Sequence, residues 1–449
     1  MPFPPDFAWG TATSSYQIEG AVAEDGRGPS IWDTFCHAPG NVAYGNTGDV
    51  ACDHYHRWAE DVDLIASYGL NAYRFSIAWP RIQPTGVGAA NQKGVDFYRR
   101  LCERLLEKGV KPAATLYHWD LPQALQDLGG WQNRDIVERF AEYASVMYEA
   151  LGDSVAWWVT HNEPWVVAAI GHRMGSMAPG LRDPIAELRV AHHLLLSHGA
   201  AVEAYRTSGS QAPIGITLSL SPTYPQQDTD SDRRAAALCD AYLNRWYLDP
   251  VFRGSYPADL VEWFSERYAM DWIADGDLAR IQKPTDFLGV NYYARRIVRA
   301  PTGGDPAEFA WVNNSEHRLD TPRSDIDWEM TPETFLDLLV RLKSDYGSPP
   351  ILITENGAAI DDTVGADGHV HDPRRIEYLR THLAAVEEAI ARGVDVRGYF
   401  AWSLMDNFEW ALGYRPRFGI TYVDFETQRR IPKDSARWYA DVVRRNALP

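Results

Sequence analysis

Along this chain, short apolar runs rich in β-branched or aromatic residues alternate with longer stretches whose apolar side chains recur every three to four residues. The runs fall at 7–13, 71–77, 112–117, 156–160, 213–219, 286–290, 351–354 and 397–403. Period two reads as strand and period 3.6 as helix. Strands that alternate with helices form a parallel sheet, and eight such units close as a (β/α)8 barrel, the fold class expected here. Helices are expected over 54–69, 184–208, 332–345 and much of 232–283. Another spans 134–151 with Asn133 as N-cap, and the clearest spans 372–392 with Asp372 as cap and Pro373 in the first turn. Between 95 and 106 the helical stripe is Val95, Tyr98, Leu101, Cys102, Leu105 and Leu106, closed by Gly109. From 300 to 330 no period is visible, and this stretch reads as a long loop on the active-site face. With no internal repeat or linker, one domain over 1–449 is expected despite the length.

In such a barrel the reactive groups stand at the C-terminal strand ends. Those ends carry Gln17, Arg74, His118-Trp119, Asn162-Glu163, Tyr293, Glu355 and Trp402. Glu163 lies in Thr160-His161-Asn162-Glu163-Pro164, and Glu355 lies in Ile353-Thr354-Glu355-Asn356-Gly357. A pair of carboxylates brought together by a barrel is what cleavage of a glycosidic bond needs. The amides, imidazole, guanidinium and indoles around them suit a sugar, whose hydroxyls need donors and acceptors and whose C–H faces stack on aromatic rings. Arg74 and Tyr293 are the candidates to sit beside Glu355 and favour its ionised form, as a nucleophile requires. Glu163, flanked by Asn162 and aromatic side chains, is then the general acid and later the general base.

A formal net charge of −18 argues against nucleic acid or an anionic membrane as the main partner. The expected partners are therefore small neutral molecules. Four cysteines without CxxC or metal-ligand spacing read as reduced thiols. No metal or cofactor is expected, and no apolar run is long enough to span a membrane. The first residues, Met1-Pro2-Phe3-Pro4-Pro5, lack the regions of a signal peptide, so a cytoplasmic enzyme is the expectation. Monomer and homo-oligomer stay open.

The stretch from Phe7 to Gly20, Phe-Ala-Trp-Gly-Thr-Ala-Thr-Ser-Ser-Tyr-Gln-Ile-Glu-Gly, resembles the N-terminal signature of the family 1 glycoside hydrolases, the β-glucosidase family. Asn162-Glu163-Pro164 is similar to its acid/base motif, and Ile353-Thr354-Glu355-Asn356-Gly357 to its nucleophile motif. The segment from Trp402 to Trp410 is similar to its glycone-recognition segment. The resemblance runs from about residue 3 to 445 in consistent order. It implies retention of anomeric configuration through a glycosyl ester on Glu355. It also implies that Gln17, His118, Trp119, Asn162, Tyr293, Glu409 and Trp410 hold the sugar, with Trp402 beneath the ring and Phe418 in the same pocket. Relatives that cleave 6-phosphoglycosides lack the acidic residue at 409, so Glu409 implies unphosphorylated β-glucosides, with galactosides and fucosides as further substrates, and cello-oligosaccharides among the possible partners. Met177 and Leu412 stand where the family more often has His and polar residues, and both are expected at the aglycone approach. Trp328 is similar to the family's aglycone platform and Trp165 is placed near it; packing and platform roles both fit these two. His161, where Phe is usual, and Ala294, where Thr or Ser is usual, also depart from the pattern.

Some features read more plainly. His54 and His56 are two apart on a helix and point to different sides, and His192-His193 reads as packing. Arg295, Arg296 and Arg299 read as a solvated face, and Asp361-Asp362 as a turn pair. A transglycosylase using the same chemistry and a sugar-binding protein without catalysis stay as rival readings.

Overall fold

The structure is a computed structural model that describes residues 2–302, 309–312 and 321–449. Its centre is a closed parallel barrel. The strands are β1 (Ala8–Ala12), β2 (Ala72–Ser76), β3 (Lys111–Tyr117), β4 (Trp157–Asn162), β5 (Ile214–Ser219), β6 (Phe287–Tyr292), β7 (Ile351–Asn356) and β8 (Val396–Trp402). Each pairs with its neighbours in sequence, and β1 closes the ring against β8, with Ala8 opposite Gly398 and Ala12 opposite Trp402. The (β/α)8 class expected from the alternation is the class observed.

The strands are buried on both faces because their alternate residues serve two cores. Trp9, Tyr73, Leu116, Trp158, Ile216, Leu288, Ile353 and Tyr399 join the large core shared with the helices. Their neighbours Ala8, Ala12, Ala72, Ala113, Phe400 and Trp402 pack with one another, and Val159 packs with Phe287 and Leu352. Glycines make room for the large members of this second set. A Cβ on Gly10 would stand 2.5 Å from the Phe400 ring, and one on Gly215 would stand 3.0 Å from the Phe287 ring. Near-continuous apolar runs are therefore what these strands require.

Helices His54–Ser67, Gln92–Glu107, Ile136–Leu151, Pro184–Ser208, Pro332–Asp345, Pro373–Ala391 and Asp434–Arg445 cover the outside. Several local expectations need correction. Leu106 is 47 % exposed, so the buried stripe of Gln92–Glu107 ends at Leu105. Asn133 is not the cap of the next helix; its side chain accepts from the amide of Asp135 (3.0 Å) in a turn before Ile136. Asp372 does precede its helix, but its carboxylate turns to Ser435 and Arg375 instead of capping. The stretch 300–330 is not wholly loop: Ala310–Trp311 pairs antiparallel with Arg296–Arg299, which runs parallel to Thr223–Pro225. Residues 303–308 and 313–320 of that stretch lie outside the described residues.

Nor is Asp361-Asp362 a simple turn pair. Asp362 is buried and pairs with Arg375 and with Lys433 Nζ (2.5 Å), which also reaches Asp406 (2.9 Å). Arg417 completes the cluster on Asp406 (2.6 Å), whose other oxygen accepts from the amide of Gly419 (3.0 Å). Buried charges persist only when paired in this way. The cluster fixes the segment after β8 that bears Glu409 and Phe418. Among the described residues no helix is long and apolar enough to cross a membrane.

Candidate active site

Glu355 leaves the end of β7 and is held from two sides. Arg74, at the centre of β2, donates from Nη1 to Oε1 (2.6 Å), and the Tyr293 hydroxyl donates to Oε2 (2.6 Å). Both the Arg74 and Glu355 side chains are almost completely buried, at 1 % and 4 % exposure. Arg74 is itself oriented by Thr115 Oγ1 (3.1 Å) and by the Thr354 carbonyl (3.2 Å). Gly357 follows because the Trp402 carbonyl lies 1.8 Å from where its Cβ would stand.

Glu163 ends β4 in the left-handed region (φ 49°), a backbone state that side chains seldom adopt and that tends to mark functional positions. Trp119 (φ 80°) and Trp410 (φ 53°) share it. Asn291 Nδ2 donates to Glu163 Oε1 (2.8 Å) and to Asn162 Oδ1 (3.1 Å). Arg74 Nη2 donates to the same Asn162 oxygen (2.7 Å), so an unbroken chain of hydrogen bonds runs from Glu355 through Arg74, Asn162 and Asn291 to Glu163. The orientation of each amide follows from its partners: Thr354 Oγ1 donates to Asn291 Oδ1 (2.7 Å), leaving Nδ2 for the carboxylate. Asn162 Nδ2 then faces His118 Nε2 (3.1 Å), which must accept. Burial, with Arg74 nearby, holds the His118 imidazole well below its usual range, so it is neutral.

Two carboxyls of this site, Glu163 and Glu409, have raised pKa values, and both feel the charge of Glu355. Burial pushes Glu163 up to about 8, with the charge of Glu355 adding to the rise and the Asn291 hydrogen bond opposing it. Burial also pushes Glu409 up to about 8, again with help from Glu355 and then Glu163. The Oε2 of Glu409 is buried with no hydrogen-bond partner in the protein.

These groups open into a cavity of about 900 Å³ that continues to solvent. His118, Trp119, Tyr293, Trp402, Trp410 and Phe418 line its inner part together with the carboxyls of Glu163, Glu355 and Glu409. The rings are mutually braced: Trp119 lies 4.6 Å from Trp410, and His118 stacks at 6.1 Å from Trp402. Trp165, Met177, Trp328 and Leu412 all line the outer part, where Trp328 packs on Tyr293 (5.3 Å). Two expected site residues stand behind this wall instead. Asn162 belongs to the hydrogen-bond chain, and Trp119 Nε1 donates to its carbonyl (2.9 Å). Gln17 accepts from Ser14 (2.6 Å) and donates to Asn407 (3.0 Å) and to the Phe408 carbonyl (2.9 Å), tying the end of β1 to the segment that bears Glu409.

The strand-end reading missed three wall or support residues. Ser219 closes β5, the one barrel strand whose end was not searched, and Asn291 stands two residues before Tyr293 on β6. Arg296, read as part of a solvated face, lines the cavity. Its neighbour Arg295 also departs from that reading, pairing with Glu329 (2.8 Å). His54 is buried on Asp61 (2.8 Å) while His56 is exposed, and His192 and His193 are buried packing residues. Among the described residues, no three His, Cys, Asp or Glu side chains are grouped to hold a metal ion.

The family model described as Glycosyl hydrolase family 1 matches residues 1–448. Beta-glucosidase A of Acetivibrio thermocellus is 48 % identical over 446 residues, covering 99 % of both chains. A bifunctional β-D-glucosidase/β-D-fucosidase of Bifidobacterium breve is 46 % identical over 462 residues, covering 98 % of this chain and 97 % of that one. The solved family 1 β-glucosidase of Thermotoga maritima in complex with glucoimidazole superimposes with a TM-score of 0.95 at 48 % identity, over 100 % of each chain.

Proposed function

Because the chain belongs to glycosyl hydrolase family 1, we propose that it is a retaining β-glucosidase that releases terminal non-reducing β-D-glucosyl residues, and also cleaves β-fucosides and β-galactosides. Residues 1–449 act in this reading as one catalytic domain, in the cytoplasm, on small neutral β-glycosides or cello-oligosaccharides. The observation that carries it is the unequal setting of two carboxyls joined by one hydrogen-bond chain. Glu355 takes hydrogen bonds from a guanidinium and a phenol, while Glu163 has a neutral amide and is pushed up to about 8.

Glu355 attacks the anomeric carbon as Glu163 passes its proton to the departing glycosidic oxygen. Forming the glycosyl ester removes the negative charge of Glu355, and that charge is one of the causes of the raised Glu163 pKa. The carboxyl that began as an acid thus becomes able to take a proton from water, and the second displacement frees the sugar with its configuration retained. Arg74 and Tyr293 orient the attacking carboxylate and receive it again when the ester is cleaved. His118, Trp119, Trp402, Trp410 and Phe418 enclose the sugar, with Gln17 and Asn162 supporting it. A sugar hydroxyl at Glu409 supplies the partner that its Oε2 lacks. Glu409 also disfavours a 6-phosphorylated sugar, because a dianion beside a buried carboxyl finds no compensating charge.

The test is kcat/KM on the 4-nitrophenyl β-glucoside, β-galactoside, β-fucoside and 6-phospho-β-glucoside. Turnover led by the glucoside or fucoside is expected. Turnover of the phosphoglycoside alone overturns the substrate class, and no turnover of any overturns the function.

A further inference from the structure

Arg296 lines the cavity together with Ser219, Ser221 and Trp165. Its main chain is fixed by the short strand Arg296–Arg299, with its amide donating to the Pro222 carbonyl (2.8 Å). The guanidinium makes no hydrogen bond or ion pair among the described residues, and its Nε is buried without a partner. Its neighbour in space is the Trp311 ring, 5.6 Å from the guanidinium carbon. Other arginines are satisfied: the fully buried Arg74 by Glu355 and the half-buried Arg341 by Asp240 (2.6 Å). The residue is half-buried, and a donor such as this Nε, withdrawn from water without an acceptor, costs free energy that a bound acceptor recovers.

The position of Arg296 limits what that acceptor is. Arg296 lines the same cavity as Glu163 and Glu355 but makes no ion pair with either. Much of the lining they share is apolar and aromatic, with Trp165, Val166, Ile170, Met177, Ile326 and Trp328. An aromatic ring attached to the glycosidic oxygen fits those apolar side chains, and an anionic group on that ring meets the guanidinium. We propose that Arg296 is a specificity-determining residue of the aglycone site, selecting aryl β-glucosides whose aglycone bears a carboxylate. The inference rests on the β-glucosidase reading and names the aglycone class for the same cavity. Arginine suits this task because its planar fork matches a carboxylate and stays charged. It also offsets locally the repulsion that a chain of net charge −18 exerts on an anion.

The experiment sets 4-carboxyphenyl β-glucoside against 4-carbamoylphenyl β-glucoside in direct competition, so that the ratio of kcat/KM values does not depend on how much enzyme is active. The wild-type protein should favour the carboxylate, and added salt should lower the ratio. Arg296→Met should reduce the ratio about tenfold, mainly through KM, with partial recovery in Arg296→Lys. A wild-type ratio insensitive to salt, or one unchanged in Arg296→Met, overturns the proposal. If Arg296→Met proves inactive, the wild-type salt response and the Lys variant decide. Turnover of 4-nitrophenyl β-glucoside is measured alongside. If that substrate is cleaved and the ratio does not move, the aglycone inference alone fails; if it is not cleaved, the function fails and takes the inference with it.

Discussion

Glu163 and Glu355 are the same side chain at the ends of two barrel strands, both buried, and their surroundings differ chiefly in one charge. Arg74 reaches one oxygen of Glu355 directly but touches Glu163 only through Asn162 and Asn291. On Glu163 burial outweighs the hydrogen bonds of Asn291 and Ser219 and the more distant charge of Arg74, whereas Glu355 has a cation and a phenol at 2.6 Å. A division of labour between acid and nucleophile needs no difference in residue type. It needs one guanidinium aimed at one of the two.

The harshest way to break the asymmetry is Glu355→Gln, which removes the nucleophile at nearly constant volume. Loss of more than about 10³-fold in kcat is expected with the thermal transition retained, measured by glucoside turnover and circular dichroism. Normal turnover would sink the assignment. Glu163→Gln should cost about 10²–10⁴-fold on alkyl glucosides and far less on dinitrophenyl glucoside, whose leaving group needs little protonation. Equal losses on the two would remove Glu163 from the acid role. Removing the cation itself, in Arg74→Met, leaves Glu355 buried without its partner and should cost about 3–5 kcal/mol of stability, read from denaturant midpoints. A change below about 1 kcal/mol would mean that the pair contributes no more than a solvent-exposed one.

The smallest expected effect sharpens the comparison most. A general acid must hold its proton, so kcat/KM should fall as pH rises through about 8, where Glu163 titrates in the free enzyme. The Asn291 hydrogen bond lowers that value, so Asn291→Ala should move the alkaline limb to higher pH while reducing kcat/KM about tenfold. A limb that stays in place or moves down would contradict the role of Asn291.

Much of this site was legible because its placement depends on local pattern. Apolar strand runs end where the sequence turns polar, and those ends led directly to His118, Glu163, Tyr293 and Glu355, whereas Arg74, expected at a strand end, stands at the centre of β2. Ser219 was within reach of the same rule. Arg296 and Asp362 were not, because their character depends on what lies opposite. Arg296 is one of three arginines in five residues, which by composition looks solvated, yet its strand turns it into the cavity. Asp362 resembles a turn residue until Arg375 and Lys433, 13 and 71 positions away, are brought against it.

By itself the sequence determined the alternation of strands and helices, and hence a barrel with its polar residues gathered at one rim, because a short apolar run and a 3.6-residue period are both local properties of the chain. It also carried the family signatures around Glu163 and Glu355. Only the tertiary structure decided which rim groups touch. It set Arg74 against Glu355, gave Asn291 to Glu163, drew Gln17 behind the wall and left Arg296 facing the cavity without a partner. Contacts of that kind depend on ring closure and on distances of a few ångströms between residues up to hundreds of positions apart, and no local period records them.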